Sequence, residues 1–160
     1  MTTSPCWCWS TSLNVPRFFT LAQAEKLLPQ VESAIREAIT LRAEYDQAEA
    51  ECQSFSQRLA VTGGMHVDRP RLLEQNSRRE SAALRVKDSI ERVHEFGCVV
   101  KDLDIGLIDF PALFNGQEVC LCWKLGESGI QFWHGVHEGF RGRKAIDQEF
   151  LEHHQGELPN

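Results

Sequence analysis

The chain has no excess of basic residues: 17 Lys and Arg stand against 23 Asp and Glu, a net charge of −6. Surfaces built for nucleic acid are normally basic, because they displace counterions from phosphates, so nucleic acid is not an expected partner. No stretch approaches the ~18 apolar residues that would cross a bilayer as a helix, so no membrane contact is expected either. The first 17 residues lack a basic start and an apolar core. No secretory leader is therefore expected, and the cytoplasm is the expected compartment. The six cysteines (Cys6, Cys8, Cys52, Cys98, Cys120 and Cys122) contain no Cys-x-x-Cys. That spacing would be needed for a zinc ribbon or a thioredoxin-type pair. In a reducing compartment most of them stay thiols. Phosphate-binding loops, dinucleotide fingerprints, serine-hydrolase elbows and the HExxH zinc motif are missing as well.

What is present is an ordinary globular composition, 42% hydrophobic and 25% charged over 160 residues. That length suits one domain with a real core. Thr20 and Gln23 have the spacing of a capping box, which opens a helix. Apolar residues then recur at steps of three and four: Ala24, Leu28, Val31, Ile35 and Ala38, then Tyr45, Ala48, Cys52, Phe55 and Leu59. Arg42 breaks this stripe, and Pro29 predicts a kink or short break. Gly63 and Gly64 end the helix. Asp68 caps a second helix with Pro70 in its first turn. Its stripe is Leu72, Ala83, Val86, Ile90 and Val93, and Gly97 stops it. His94, in the last turn, would gain from the helix dipole when protonated. Such stripes are the seam of an antiparallel pair or a coiled coil.

After Gly97 the period changes to two, which predicts strands at 98–101, 107–113, 118–124 and 130–134. Asn115-Gly116 predicts a type I′ hairpin. The fold expected is α+β: a long antiparallel helical hairpin (20–96), then a small antiparallel meander of three to four strands (98–134) packed on one end of it. A loop (135–146) completes the domain of residues 18–146. Residues 1–17 read as a disordered extension; past Arg143 the chain could form one turn or two of helix, and 147–160 read as an acidic tail with solvated His153 and His154. The hairpin outreaches the sheet, so its far half is expected to need a partner helix or a second copy, giving a homodimer.

The Asn115-Gly116 register places Ile108, Phe110, Ala112, Val119, Leu121 and Trp123 on a core face. Asp109, Cys120, Cys122 and Lys124 lie on the other. Two thiols and one carboxylate fall short of the four ligands zinc prefers. The next turn is expected to pair Trp123 with Phe132 and Leu121 with His134, which puts His134 on the core face. A buried His needs a partner at each ring nitrogen. The candidate cluster is Asp102, Asp109, Trp133, His134, Glu138 and Arg143, with His134, His137 and Glu138 as metal candidates. Arg141, Arg143 and Lys144 between glycines could hold an anion, or be solvated loop charges.

Several motifs carry a family resemblance. They are Phe19-Thr20-Leu21 with Leu27-Leu28-Pro29, Val100-Lys101-Asp102-Leu103-Asp104 with Gly106-Leu107, and Asp109-Phe110-Pro111-Ala112. To these add Leu121-Cys122-Trp123-Lys124-Leu125-Gly126-Glu127, and Trp133-His134 with Gly139-Phe140 and Gly142-Arg143. From about Phe18 to Ile146 the chain resembles the bacterial domain-of-unknown-function family 2203. The resemblance implies a small cytosolic protein and brings no established activity, cofactor or catalytic residue. Two functions stand open. The first is a non-enzymatic protein that oligomerises or binds a partner through its hairpin. The second is a small metal- or anion-binding module or enzyme using Asp109, His134, Glu138 and Arg143, with a small ligand.

Overall fold

The structure, a computed structural model, describes residues 18–63 and 68–156. The expected N-terminal extension with Cys6 and Cys8 lies outside the described residues, as do Gly64 and residues 157–160. Two helices come first, α1 over Leu21–Val61 (41 residues) and α2 over Arg69–Glu95 (27 residues). The capping box at Thr20 forms: its Oγ1 accepts from the Gln23 N–H at 3.2 Å, and the Gln23 Oε1 accepts from the Thr20 N–H at 2.9 Å. Such a cap contributes on the order of 1 kcal/mol. The helix runs through Pro29 without the expected break. Pro29 lies on the exposed side, where water takes up the hydrogen bond that proline does not donate. Asp68 caps α2 by accepting from the Arg71 N–H at 3.1 Å.

The α1 stripe is buried from Ala24 to Phe55 apart from the half-buried Tyr45, Leu59 beyond it is half-buried, and Leu41 fills the break at Arg42. Of the expected α2 stripe only Val93 is fully buried, while Leu72, Ala83, Val86 and Ile90 are half-buried; the other fully covered positions are Ala82 and Ser89, small side chains that let the helices approach closely. Ala48, Cys52 and Phe55 lie in the outer half of α1 and are buried within the chain itself. The far half of the hairpin therefore has its seam covered by α2, without a second copy. Four ion pairs cross the hairpin: Arg78–Glu51, Arg79–Glu49, Arg85–Glu44 and Arg92–Glu37. Exposed pairs of this kind contribute only ~0–1 kcal/mol each, so their main effect is to set the register of the helices. Among the described residues, no helix is long and apolar enough to cross a membrane.

Six strands follow in one sheet: β1 Val99–Asp102, β2 Leu107–Phe114, β3 Gln117–Lys124, β4 Phe132–Gly135, β5 Lys144–Ala145 and β6 His154–Gln155. The first four are the predicted meander, and β5 and β6 add two-residue edges. Asn115 and Gly116 both take positive φ, 51° and 74°, as a type I′ turn requires. The β2–β3 register is the expected one, with Phe114 opposite Gln117 and Asp109 opposite Cys122. The face of Ile108, Phe110, Ala112, Val119, Leu121 and Trp123 packs with Phe19, Leu28, Val31 and Ile35 of the helical layer. Pro111 has no N–H to give, and its carbonyl accepts from the Phe19 N–H at 2.7 Å, so β2 is sealed there by the entry to α1.

Two expectations need correction. His94 is not held protonated by the helix dipole. Burial lowers its pKa, and its Nε2 accepts from the Val100 N–H at 3.3 Å, a bond only the neutral ring can accept. The one or two turns of helix expected past Arg143 form, but residues 147–155 are packed on the domain and are not a solvated tail. A short helix, α3, covers Gln148–His153 and buries Phe150, and β6 then pairs with the outer end of β2. The Phe150 ring stacks on Phe114, Trp133 and His154 at centroid distances of 5.1, 4.9 and 5.3 Å. His154 is not solvated: its Nε2 accepts from the Leu21 N–H at 3.2 Å, at the first turn of α1. His153 is exposed, as expected.

Candidate metal centre

The decisive difference from the sequence reading is one residue of register between β3 and β4. Cys120 faces His134, Leu121 faces Trp133 and Cys122 faces Phe132. Because side chains alternate along a strand, a slip of one residue moves the whole strand to the opposite face. Trp133 therefore joins the helix-facing side, against Phe114 at 5.0 Å and Phe150. His134 leaves the expected core face and joins Asp109, Cys120 and Cys122 on the other.

There His134 reaches across β3. Its Nδ1 lies 2.8 Å from its neighbour's carbonyl, Gly135 O, and its Nε2 lies 3.2 Å from Asp109 Oδ1. A carbonyl only accepts, so Nδ1 carries the ring proton. In the neutral ring Nε2 then presents a lone pair to a carboxylate oxygen. Two acceptors at this distance need a cation between them, either a proton or a metal. Asp109 is 2% exposed, and its Oδ2 has no hydrogen-bond partner among the described residues. Buried carboxylate oxygens are normally satisfied, so this one, on the face it shares with Cys120 and Cys122, is a candidate position for a cation.

Cys122 supplies the third donor. One ligand atom each from Asp109, Cys122 and His134 lies within 4.8 Å of the others. Cys122 and His134 are 0% and 1% exposed, so all three side chains are out of water. A metal-bound His commonly donates its second N–H to a backbone carbonyl, which is the arrangement at Gly135. Burial, and then the Asp109 carboxylate, push the Cys122 thiol up to about 12, against the pull of Arg143. A metal binding here must therefore displace that proton.

The remaining sequence candidates fall elsewhere. Asp102 is exposed and accepts from the Asp104 and Ile105 N–H groups at the β1–β2 turn. Trp133 is on the opposite face. His137 is exposed, and Glu138 is exposed and occupied. The Glu138 Oε2 accepts from the Gly135 N–H at 2.7 Å, and this bond, with Lys144 next, holds its carboxyl below the usual range. Arg143 borders the cluster without joining it. Its Nη2 donates to both Glu127 carboxylate oxygens at 2.8 and 2.7 Å, and its guanidinium lies 4.1 Å from the Phe132 ring centroid and 4.9 Å from that of Phe140. With Arg143 on Glu127 and Lys144 on Glu138, the basic loop does not offer these cations as an open anion cradle. Cys122 was set aside in the sequence reading because its face was one ligand short. The missed signal is the cross-strand match: pairing Trp133 with Leu121 groups apolar with apolar and sends His134 to the carboxylate and thiols.

Comparison with curated proteins and with solved structures finds no match. A family model does match, over residues 17–146 and hence most of the chain. The resemblance carried by the motifs around Asp109, Trp123 and Trp133-His134 is thereby established, and the chain belongs to the uncharacterized conserved protein family DUF2203.

Proposed function

We propose that this protein binds a divalent metal ion through Asp109, Cys122 and His134. The observation that carries the reading is the His134 Nε2 lone pair facing a buried carboxylate whose second oxygen has no hydrogen-bond partner among the described residues. Nitrogen, oxygen and sulfur donors together suit a borderline metal such as zinc, whereas magnesium and calcium prefer oxygen alone. The test is calorimetric titration of chelator-stripped protein with zinc in buffers of different ionisation heat. One equivalent should bind, and protons should be released. The sign follows from the thiol: lower pH favours the protonated Cys122, so affinity falls as pH falls. Cys122→Ser should lose more than ~100-fold in affinity, since even outer-shell changes cost ~10–100-fold. Equal zinc binding by the parent and Cys122→Ser would overturn the reading.

A second reading, assembly through the hairpin, has one observation of its own. Leu73 and Leu84, 69% and 62% exposed, lie three turns apart on α2. A homodimer on that face should give twice the chain mass in light scattering, and Leu73→Glu with Leu84→Glu should restore the single mass. A single mass for the parent at high micromolar concentration sinks the idea.

A further inference from the structure

We infer that Cys120 is the fourth ligand, so that the chain holds a tetrahedral metal of the zinc class through two thiolates, one imidazole and one carboxylate. The inference rests on the reading of Asp109, Cys122 and His134 as metal ligands, and it concerns what closes their site.

The register places four donors on one face of three adjacent strands. Asp109 of β2 stands directly opposite Cys122 of β3, and Cys120 of β3 stands directly opposite His134 of β4. The two cysteines are two residues apart on one strand, ~6–7 Å along it. The Cys122 sulfur lies within 4.8 Å of the Asp109 and His134 ligand atoms, and rotation about χ1 would have to bring the Cys120 sulfur into that group. Burial first, and then the Asp109 carboxylate, push the Cys120 thiol up to about 12.

Burial decides between a protein ligand and an open position. A catalytic zinc site keeps one position open to water or substrate, whereas a structural site is closed by a fourth side chain. Asp109, Cys122 and His134 are out of contact with solvent. Cys120, half-buried and opposite His134, is the further donor on the same face.

Charge supports the same ligand set. A cation acts on each thiol: Lys101 on Cys120 and Arg143 on Cys122. Two thiolates and one carboxylate around a divalent ion leave one net negative charge, which Lys101 can offset, Arg143 being already paired with Glu127. In the metal-free chain both sulfurs keep their protons. On binding, two S–H bonds break, the proton shared by His134 Nε2 and Asp109 leaves, two metal–sulfur bonds form, and all three protons pass to solvent without any change of oxidation state.

Cobalt(II) is the probe, because its thiolate charge-transfer absorption grows with the number of bound sulfurs. The full chain should show visible bands of tetrahedral cobalt. Cys120→Ser should lose half of the charge-transfer intensity and more than ~100-fold in affinity, a larger loss than removal of an outer-shell partner gives. A measurement on the unaltered chain guards against variants that fail to fold. Saturating zinc should protect the half-buried Cys120 from alkylation, as read by peptide mass. Tetrahedral spectra unchanged in Cys120→Ser, with Cys120 alkylated at the same rate with and without zinc, would overturn the fourth ligand and leave the three-ligand reading intact. No cobalt or zinc bound by the parent chain would overturn both.

Discussion

Asp109→Asn is expected to leave the metal-free protein folded, with a thermal midpoint near that of the parent, while zinc affinity falls more than ~100-fold. The amide N–H can donate to the His134 Nε2 lone pair, now 3.2 Å from the carboxylate, so the buried contact survives without a shared proton or metal. Asp109→Ala is the contrasting variant. It leaves Nε2 buried and unpaired and is expected to cost at least ~1–3 kcal/mol of stability. The pair separates two roles for one side chain. If Asp109 were purely a structural brace, both variants would bind zinc like the parent. Thermal unfolding and zinc titration of the two, side by side, decide it.

Phe150→Ala is the largest expected loss of stability, about 3–5 kcal/mol, a fall in midpoint on the order of 10 °C for a chain of this size. Phe150 is fully buried and stacks on three rings, Phe114, Trp133 and His154. Its loss should also free the Leu21 amide, whose acceptor His154 is held by that stack. Amide exchange at Leu21 should therefore speed up with the drop in midpoint. A drop below ~1 kcal/mol, well short of typical Phe→Ala losses in cores, would mean that residues 148–155 peel away from the domain at little cost.

Different parts of the architecture were legible to different degrees, for physical reasons. The helices were readable because caps and stripes are local: Thr20 with Gln23, Asp68 with Pro70, and a repeat from Ala24 to Phe55. The β2–β3 hairpin was readable because Asn115-Gly116 fixes a two-residue turn, and the turn fixes every pair behind it. The β3–β4 connection has no such marker. After the turn at Lys124–Glu127, where the Glu127 N–H donates to Lys124 O, the chain continues through Ser128 to Gln131 before pairing resumes. Gly126 and Gly129 do not specify how many residues that takes. The miscount by one hid the site, since Asp109 and Cys122 had been placed on their face correctly and only His134 was assigned to the wrong one. Phe150 was passed over for another reason. A six-residue helix carries too little periodicity to announce a buried face, and its packing depends on Phe114 and Trp133, far away in sequence.

The contact between Leu21 and His154 spans 133 residues of chain. The hairpin contacts are far more local, and contacts of that kind form early and fast. During vectorial synthesis α1 and α2 can pair long before residues 148–155 leave the ribosome. Until then the outer end of β2, at Leu113 and Phe114, is an open strand edge, and Trp133 lacks its aromatic lid. The nascent chain thus passes through a stage with a finished hairpin and an unfinished, adhesive sheet, the interval in which unpaired edges lead to misassembly.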